Sequence, residues 1–217
     1  MLINIHTHFR ADSENIASVV QTNPDEASVS PGLYSSGIHP WDTATMSEPE
    51  LEKFMSKLIA LFDDPSFESK RPFAIGECGL DKLRGASVNH QIYWFKRQIE
   101  LSEKVQKPLI IHCVKAWDEL LLLHKQINPR MPWIIHGFRG KPQLANQLLS
   151  KTNIFLSFGV NFNAESLLIT PLSKLFIETD DMEYDLSALY YSVANERNIP
   201  LNELISQIEC NFVSLNL

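Results

Sequence analysis

No run of apolar residues in this 217-residue chain approaches the length that crosses a bilayer, so a helical membrane span is not expected. Cysteine is scarce. Cys78, Cys113 and Cys210 stand far apart with no CxxC pair, and three is an odd number. That usage suits a reducing cytoplasm better than a disulfide scaffold. The first residues, MLINIHTHFR, lack a basic segment followed by an apolar stretch, so they do not read as a signal peptide. Positive charge is also short, with 19 Lys and Arg against 26 Asp and Glu and a net charge of -7. Proteins that hold duplex nucleic acid mainly through phosphate contacts are usually basic. Phosphate chemistry here therefore needs a local source of positive charge, and bound metal is one. Low-complexity tracts, internal repeats and long charge blocks are absent as well.

What is present is a rhythm. Hydrophobic residues make up 44% of the chain, enough for a sizeable core, and short β-rich segments alternate with longer helical ones. This pattern signals βαβ units and a parallel sheet. Strands are expected at Leu2–Ile5, Ser18–Thr22, Leu33–Ile38, Phe73–Gly76, Leu109–Ile111, Trp133–Ile135, Ile154–Ser157 and Leu175–Ile177. Runs such as PLIIH and PWIIH suit strands covered on both faces. Helical periodicity marks Glu48–Phe62, Gln91–Lys104, Trp117–His124, Gln143–Leu149, Ser187–Glu196 and Leu201–Ile208. The expected fold is a (β/α)8 TIM barrel forming a single domain over residues 1–217. Only about ten residues separate the first two strands, near the lower limit for a crossover carrying a helix, so the first helix is expected to be lost or vestigial.

The ionisable residues follow the same rhythm. His6 and His8 end the first strand, His39 the third, His112 the fifth and His136 the sixth. Glu77 ends the fourth strand and Asp180 follows the eighth. Strands that all point one way bring their carboxyl ends to one rim. His6, His8, Glu77, His112, His136 and Asp180 are therefore candidate ligands for one or two divalent metal ions, with Zn, Mg and Mn as candidates. The HxH spacing puts both rings on one side of a strand, because side chains alternate with period two. A lone histidine after an apolar strand is ordinarily a hydrogen-bonded core residue; six such groups at strand ends argue for metal. His39 admits both substrate contact and a structural hydrogen bond. His90 and His124 read as solvated helix residues, and Cys78 and Cys113 as buried, inert thiols.

The segments IHTH (5–8), GIHPW (37–41), AIGECGLD (74–81), PLIIHC (108–113), IIHGFRG (134–140) and FIETDD (176–181) resemble, in order, those of the TatD family of metal-dependent deoxyribonucleases, within the amidohydrolase-like TIM barrels. The resemblance implies two divalent metals. His6 and His8 would hold one, with Asp180 completing it; His112 and His136 would hold the second; Glu77 would bridge them. It also implies hydrolysis of phosphodiester bonds in DNA. The chain departs from the family in its loops, with CVKA after the fifth strand, HGFRG at the sixth and DMEYDL after ETD, and it is shorter than typical members. The ligands are kept while the substrate-facing loops differ.

Asp180 and Glu77 are thus the candidate catalytic carboxylates. Asp180 is placed to orient a nucleophilic water and take its proton. Lys82, Arg84, Lys115 and Arg139 follow ligand-bearing strands and are candidate contacts, with His39, to the phosphates of DNA or of a small phosphoester; solvated loop charges are the plainer reading for each. Trp41 offers either a face for a base or rim packing. Two alternatives share these ligands: hydrolysis of another substrate (an aminoacyl-tRNA ester, a lactone or a small phosphoester), and a non-catalytic metal-binding paralogue. Nothing points to an obligate protein partner or a membrane.

Overall fold

The computed structural model describes residues 1–9, 15–27 and 32–215. Its strands are β1 (Leu2–Thr7), β2 (Ile16–Gln21), β3 (Tyr34–Ser36), β4 (Ala74–Asp81), β5 (Leu109–Val114), β6 (Trp133–Ile135), β7 (Ile154–Phe158) and β8 (Leu175–Ile177). Its helices are α1 (Pro24–Ala27), α2 (Asp42–Thr45), α3 (Glu48–Asp63), α4 (Val88–Val105), α5 (Trp117–Ile127), α6 (Pro142–Leu149), α7 (Ala164–Ile169), α8 (Leu186–Glu196) and α9 (Leu201–Ser214). The sheet runs β1 to β8 in sequence order. The β1–β2, β3–β4, β4–β5 and β7–β8 pairings are all parallel. The β1–β2 connection, where the first helix was expected to be missing, has residues 10–14 outside the described residues. No helix among the described residues is long and apolar enough to cross a membrane.

All eight expected strands are present, and their ends differ for identifiable reasons. β4 does not stop before the polar Glu77 but continues to Asp81. Its register against β5 continues through Gly79–His112, Leu80–Cys113 and Asp81–Val114, and backbone pairing does not depend on side-chain polarity. β3 is shorter than expected because Ile38 leaves the sheet. The buried Gln98 amide receives the Ile38 N–H at 2.7 Å and donates to its C=O at 3.1 Å, standing in for a strand partner.

The chain forms two compact units, residues 1–20 with 134–217, and residues 21–133. In the first, β1 and β8 meet through a Thr7–Asp180 bridge. The Tyr190 hydroxyl donates to the Ile3 carbonyl at 2.8 Å and accepts its N–H at 3.0 Å, tying α8 to β1. In α9, Asn211 donates to the carbonyls of Leu172 and Leu175 and so closes the entry to β8.

In the second unit, α3 buries Leu51, Phe54, Met55, Leu58, Leu61 and Phe62 at helical spacing. It starts at a capping box in which Glu50 receives the Ser47 N–H at 2.7 Å. α4 buries Trp94, Phe95 and Ile99 together with two glutamines, Gln91 and Gln98. Each fully buried large apolar side chain contributes about 1.5–3 kcal/mol, so this packing holds the strands that carry the polar groups.

Close approach of β4 and β5 rests on glycine. A Cβ at Gly79 would stand 2.1 Å from the His112 carbonyl oxygen, and one at Gly76 2.4 Å from that of Ile110. Both glycines have φ in the region that side chains avoid, +136° and +140°. The glycines on either side of Glu77 and Cys78 thus set how near β5 lies. Gly79→Ala is expected to cost about 2–4 kcal/mol, through overpacking and backbone strain together. Urea denaturation of metal-free protein would register this, and a loss below about 0.5 kcal/mol would contradict it.

Candidate metal centres at the strand ends

Each unit gathers its own set of imidazoles and carboxylates. In the first, β1 carries His6 and is followed by His8, β6 is followed by His136, and Asp180 lies past β8. Ligand atoms of His6, His136 and Asp180 all lie within 4.8 Å of one another. The His6 and His136 rings are 4.5 Å apart and the His6 and His8 rings 5.2 Å, as expected for one side of a strand. Asp180 Oδ1 stands 3.5 Å from His6 Nε2 and 3.6 Å from His8 Nε2. Two ligands bound at about 2.0–2.1 Å to one tetrahedral ion are about 3.4 Å apart. The spacing is thus too long for a hydrogen bond and suits a shared cation, and the donor chemistry fits one.

Behind this group lies a carboxylate that the sequence analysis did not single out. Glu178 is fully buried, and its Oε1 is 3.3 Å from His136 Nδ1 and accepts the Gly137 N–H at 2.6 Å. A carboxylate on one ring nitrogen turns the other toward a metal. The signal was available: Glu178 and Asp180 are two apart in FIETDD, the same period-two argument applied to His6 and His8.

In the second unit, β3, β4 and β5 supply His39, Glu77 and His112, again with ligand atoms within 4.8 Å of one another. Glu77 is buried, and its Oε1 lies 3.0 Å from His39 Nε2 and 2.9 Å from His112 Nδ1. Gln21 accepts the Glu77 N–H at 2.6 Å and fixes the backbone behind it. His39 therefore stands inside a donor group rather than at its margin. Its N–H donates to Asp42 at 3.0 Å.

Asp81, the last residue of β4, is the second carboxylate that was missed, though GECGLD displayed it two positions beyond Gly79. Its Oδ2 lies 3.2 Å from His112 Nε2 and accepts the Trp41 indole N–H at 2.7 Å. Its Oδ1 accepts the N–H groups of Leu83 and Arg84. Burial pushes its pKa up, but the hydrogen bonds from Trp41, Leu83 and His112 outweigh burial and hold the carboxyl below the usual range. His112 is thus gripped by carboxylates on both ring nitrogens.

The candidate phosphate contacts behave differently from one another. Lys82 is paired with Glu119 at 2.7 Å. Arg84 lies over the Trp41 ring, 4.5 Å from its centroid. Lys115, in a left-handed turn at φ 56°, and Arg139 are exposed. Cys78 and Cys113 are buried thiols whose pKa values burial drives up, so they are inert as read from sequence. His124 departs from expectation. It is buried, with its ring 4.9 Å from that of Trp133, because its face of α5 packs inward. His90 is half-buried and pairs with Glu48.

The family model described as TatD related DNase matches residues 3–215. A 3'-5' ssDNA/RNA exonuclease TatD of Erwinia billingiae is 32% identical over 64% of this chain and 57% of that protein. An uncharacterized metal-dependent hydrolase, YabD of Bacillus subtilis, is 33% identical over 66% of this chain and 56% of that protein. The chain spans little more than half the length of these two relatives. The crystal structure of YJJV, a TatD homolog from Escherichia coli, superposes with a TM-score of 0.81 at 19% identity, covering 100% of this chain and 98% of that one. That likeness shows the (β/α)8 TIM-barrel fold. With its strand-end histidines and carboxylates, the chain belongs to the TatD related DNase family.

Proposed function

We propose that this chain is a metal-dependent hydrolase that cleaves phosphodiester bonds in single-stranded nucleic acid. The observation that carries the reading is the pair of donor groups at strand ends, His6–His8–His136–Asp180 and His39–Glu77–His112, in a chain of this family. The relative from Erwinia billingiae is named for single-stranded DNA and RNA, which favours that substrate over a duplex. The acidic net charge agrees, since duplex binding through phosphates alone would call for a basic surface. Three free cysteines suit a reducing cytoplasm as the place of work.

One divalent ion per donor group is proposed, with zinc, manganese and magnesium as candidates. A bound ion supplies Lewis acidity, bringing the ionisation of water to about pH 7 and offsetting charge on phosphoryl oxygens. The chain's own groups do the rest. Glu178 holds His136, and Asp81 holds His112, so neither ring has to be oriented when substrate arrives. Asp180 is partly open to solvent, with 26% of its side chain exposed, while His6 beside it is closed off. Asp180 is therefore the carboxylate able both to hold the attacking water and to accept its proton. Glu77 is buried and fixes the second group rather than exchanging protons with solvent.

Chelation is expected to abolish turnover of bis(4-nitrophenyl) phosphate and of a single-stranded oligonucleotide, and to lower the Tm, since a ligand lost from the folded state alone destabilises it. Manganese or zinc should restore both, with two ions per chain by metal analysis. Metal-loaded protein that turns over no phosphodiester would reject the function, and full activity after chelation would reject the metal requirement. Asp180→Ala should reduce turnover by at least about a hundredfold with the fold intact by circular dichroism. Retained turnover in that variant would remove Asp180 from its role. Aminoacyl esters and a lactone in the same assay separate this reading from a hydrolase of another substrate.

A further inference from the structure

The turn that follows β4 is fixed by its backbone and carries a cation that is not tied down. Asp81 accepts the N–H groups of Leu83 and Arg84 at 2.7 and 3.1 Å. Gln91 donates to the carbonyls of Asp81, Arg84 and Ala86, each at 2.9 Å. Gly85 has φ +87° and lies so close to Pro40 that a Cβ there would be 2.3 Å from its carbonyl oxygen. The position of the turn is thus set before any ligand is present.

Two cations leave this turn and meet different fates. Lys82 is neutralised by Glu119. Arg84 meets no carboxylate among the described residues; its guanidinium carbon rests on the face of Trp41. That indole is itself anchored by its N–H on the Asp81 carboxylate at 2.7 Å. Its ring lies 4.7 Å from the His39 ring and 5.8 Å from the His112 ring. Asp81 therefore positions Trp41, Trp41 positions Arg84, and the guanidinium is parked one aromatic ring away from a candidate metal centre.

Stacking on an indole holds a guanidinium without consuming its N–H donors, which lie in its plane. A stacked arginine keeps a fork that fits two oxygens of one phosphate, and less side-chain freedom is lost when it binds. With Arg84 over the Trp41 ring, this corner offers a phosphate a positive charge.

Resting on the function proposed above, we propose that Arg84, held on Trp41, is the subsite for the phosphate that neighbours the scissile one in a single-stranded nucleic acid. A substrate with a single phosphodiester cannot use it. A chain of phosphates can.

The test reads binding apart from turnover. Binding of fluorescein-labelled oligo(dT) is followed by anisotropy across a salt series in metal-loaded Asp180→Ala protein, which leaves the strand uncut, and in the same protein with Arg84→Gln. Loss of one phosphate contact lowers the slope of log affinity against log salt by about 0.7 for a single strand. Arg84→Lys should recover the slope but not the full affinity, because a point charge lacks the stacked fork. In otherwise wild-type protein, Arg84→Gln should lower kcat/KM for the oligonucleotide at least tenfold more than for bis(4-nitrophenyl) phosphate, chiefly through KM. An unchanged slope, or equal losses on both substrates, overturns the subsite while leaving the hydrolase reading in place. Absence of turnover of either phosphodiester by metal-loaded wild-type protein overturns that reading instead, and absence of oligo(dT) binding overturns the subsite with it.

Discussion

A carboxylate withdrawn from water must be compensated, and this protein compensates its strand-end carboxylates with imidazole. Glu77 is buried yet meets two rings at one oxygen. Glu178 is buried against His136 and a backbone N–H. Asp81 is buried among four donors. An unpaired buried charge costs several kcal/mol, so each of these contacts is a condition of folding as well as a preparation for a cation. The same donors that make the fold tolerable make up the candidate metal centres.

That dual use explains where the structure puts its rigidity. The strands β4 and β5 approach closely through Gly76 and Gly79, which holds Glu77, Asp81 and His112 in one place. Glutamines then replace missing backbone partners around them: Gln21 behind Glu77, and the buried Gln91 under the turn at 82–86 and Gln98 at Ile38. A side-chain amide both donates and accepts, so it can satisfy a backbone that has left the sheet. Of the candidate phosphate contacts, Arg84, Lys115 and Arg139 are exposed and lie in loops.

Much of the architecture was legible because hydrophobic periodicity is local. Trp133–Ile135 and Leu175–Ile177 are strands with the bounds expected of them. The strand ends were less legible. β4 passes through Glu77 to Asp81 because its register with β5 continues, and that partner lies some thirty residues away. His124 looked like a surface residue on a helix, and only the placement of Trp133 against it shows otherwise. The histidines stood out because imidazoles at strand ends are uncommon and repeat. Asp81 and Glu178 did not, because carboxylates are common and nothing in their neighbours reveals burial.

The sequence by itself determined which donors exist and how they are spaced: two imidazoles with period two at the first strand, single ones at the third, fifth and sixth, and acids at the fourth and eighth. Spacing along a strand fixes which side a side chain faces, so that much needs no fold. Only the tertiary structure decided how those donors are partnered. It brought His6, His136 and Asp180 together and His39, Glu77 and His112 together, set Glu178 and Asp81 behind His136 and His112, and tied Lys82 to Glu119 while leaving Arg84 on Trp41. Hydrogen bonds and ion pairs act over a few ångströms of space, and distance in space between residues far apart in the chain is what folding alone supplies.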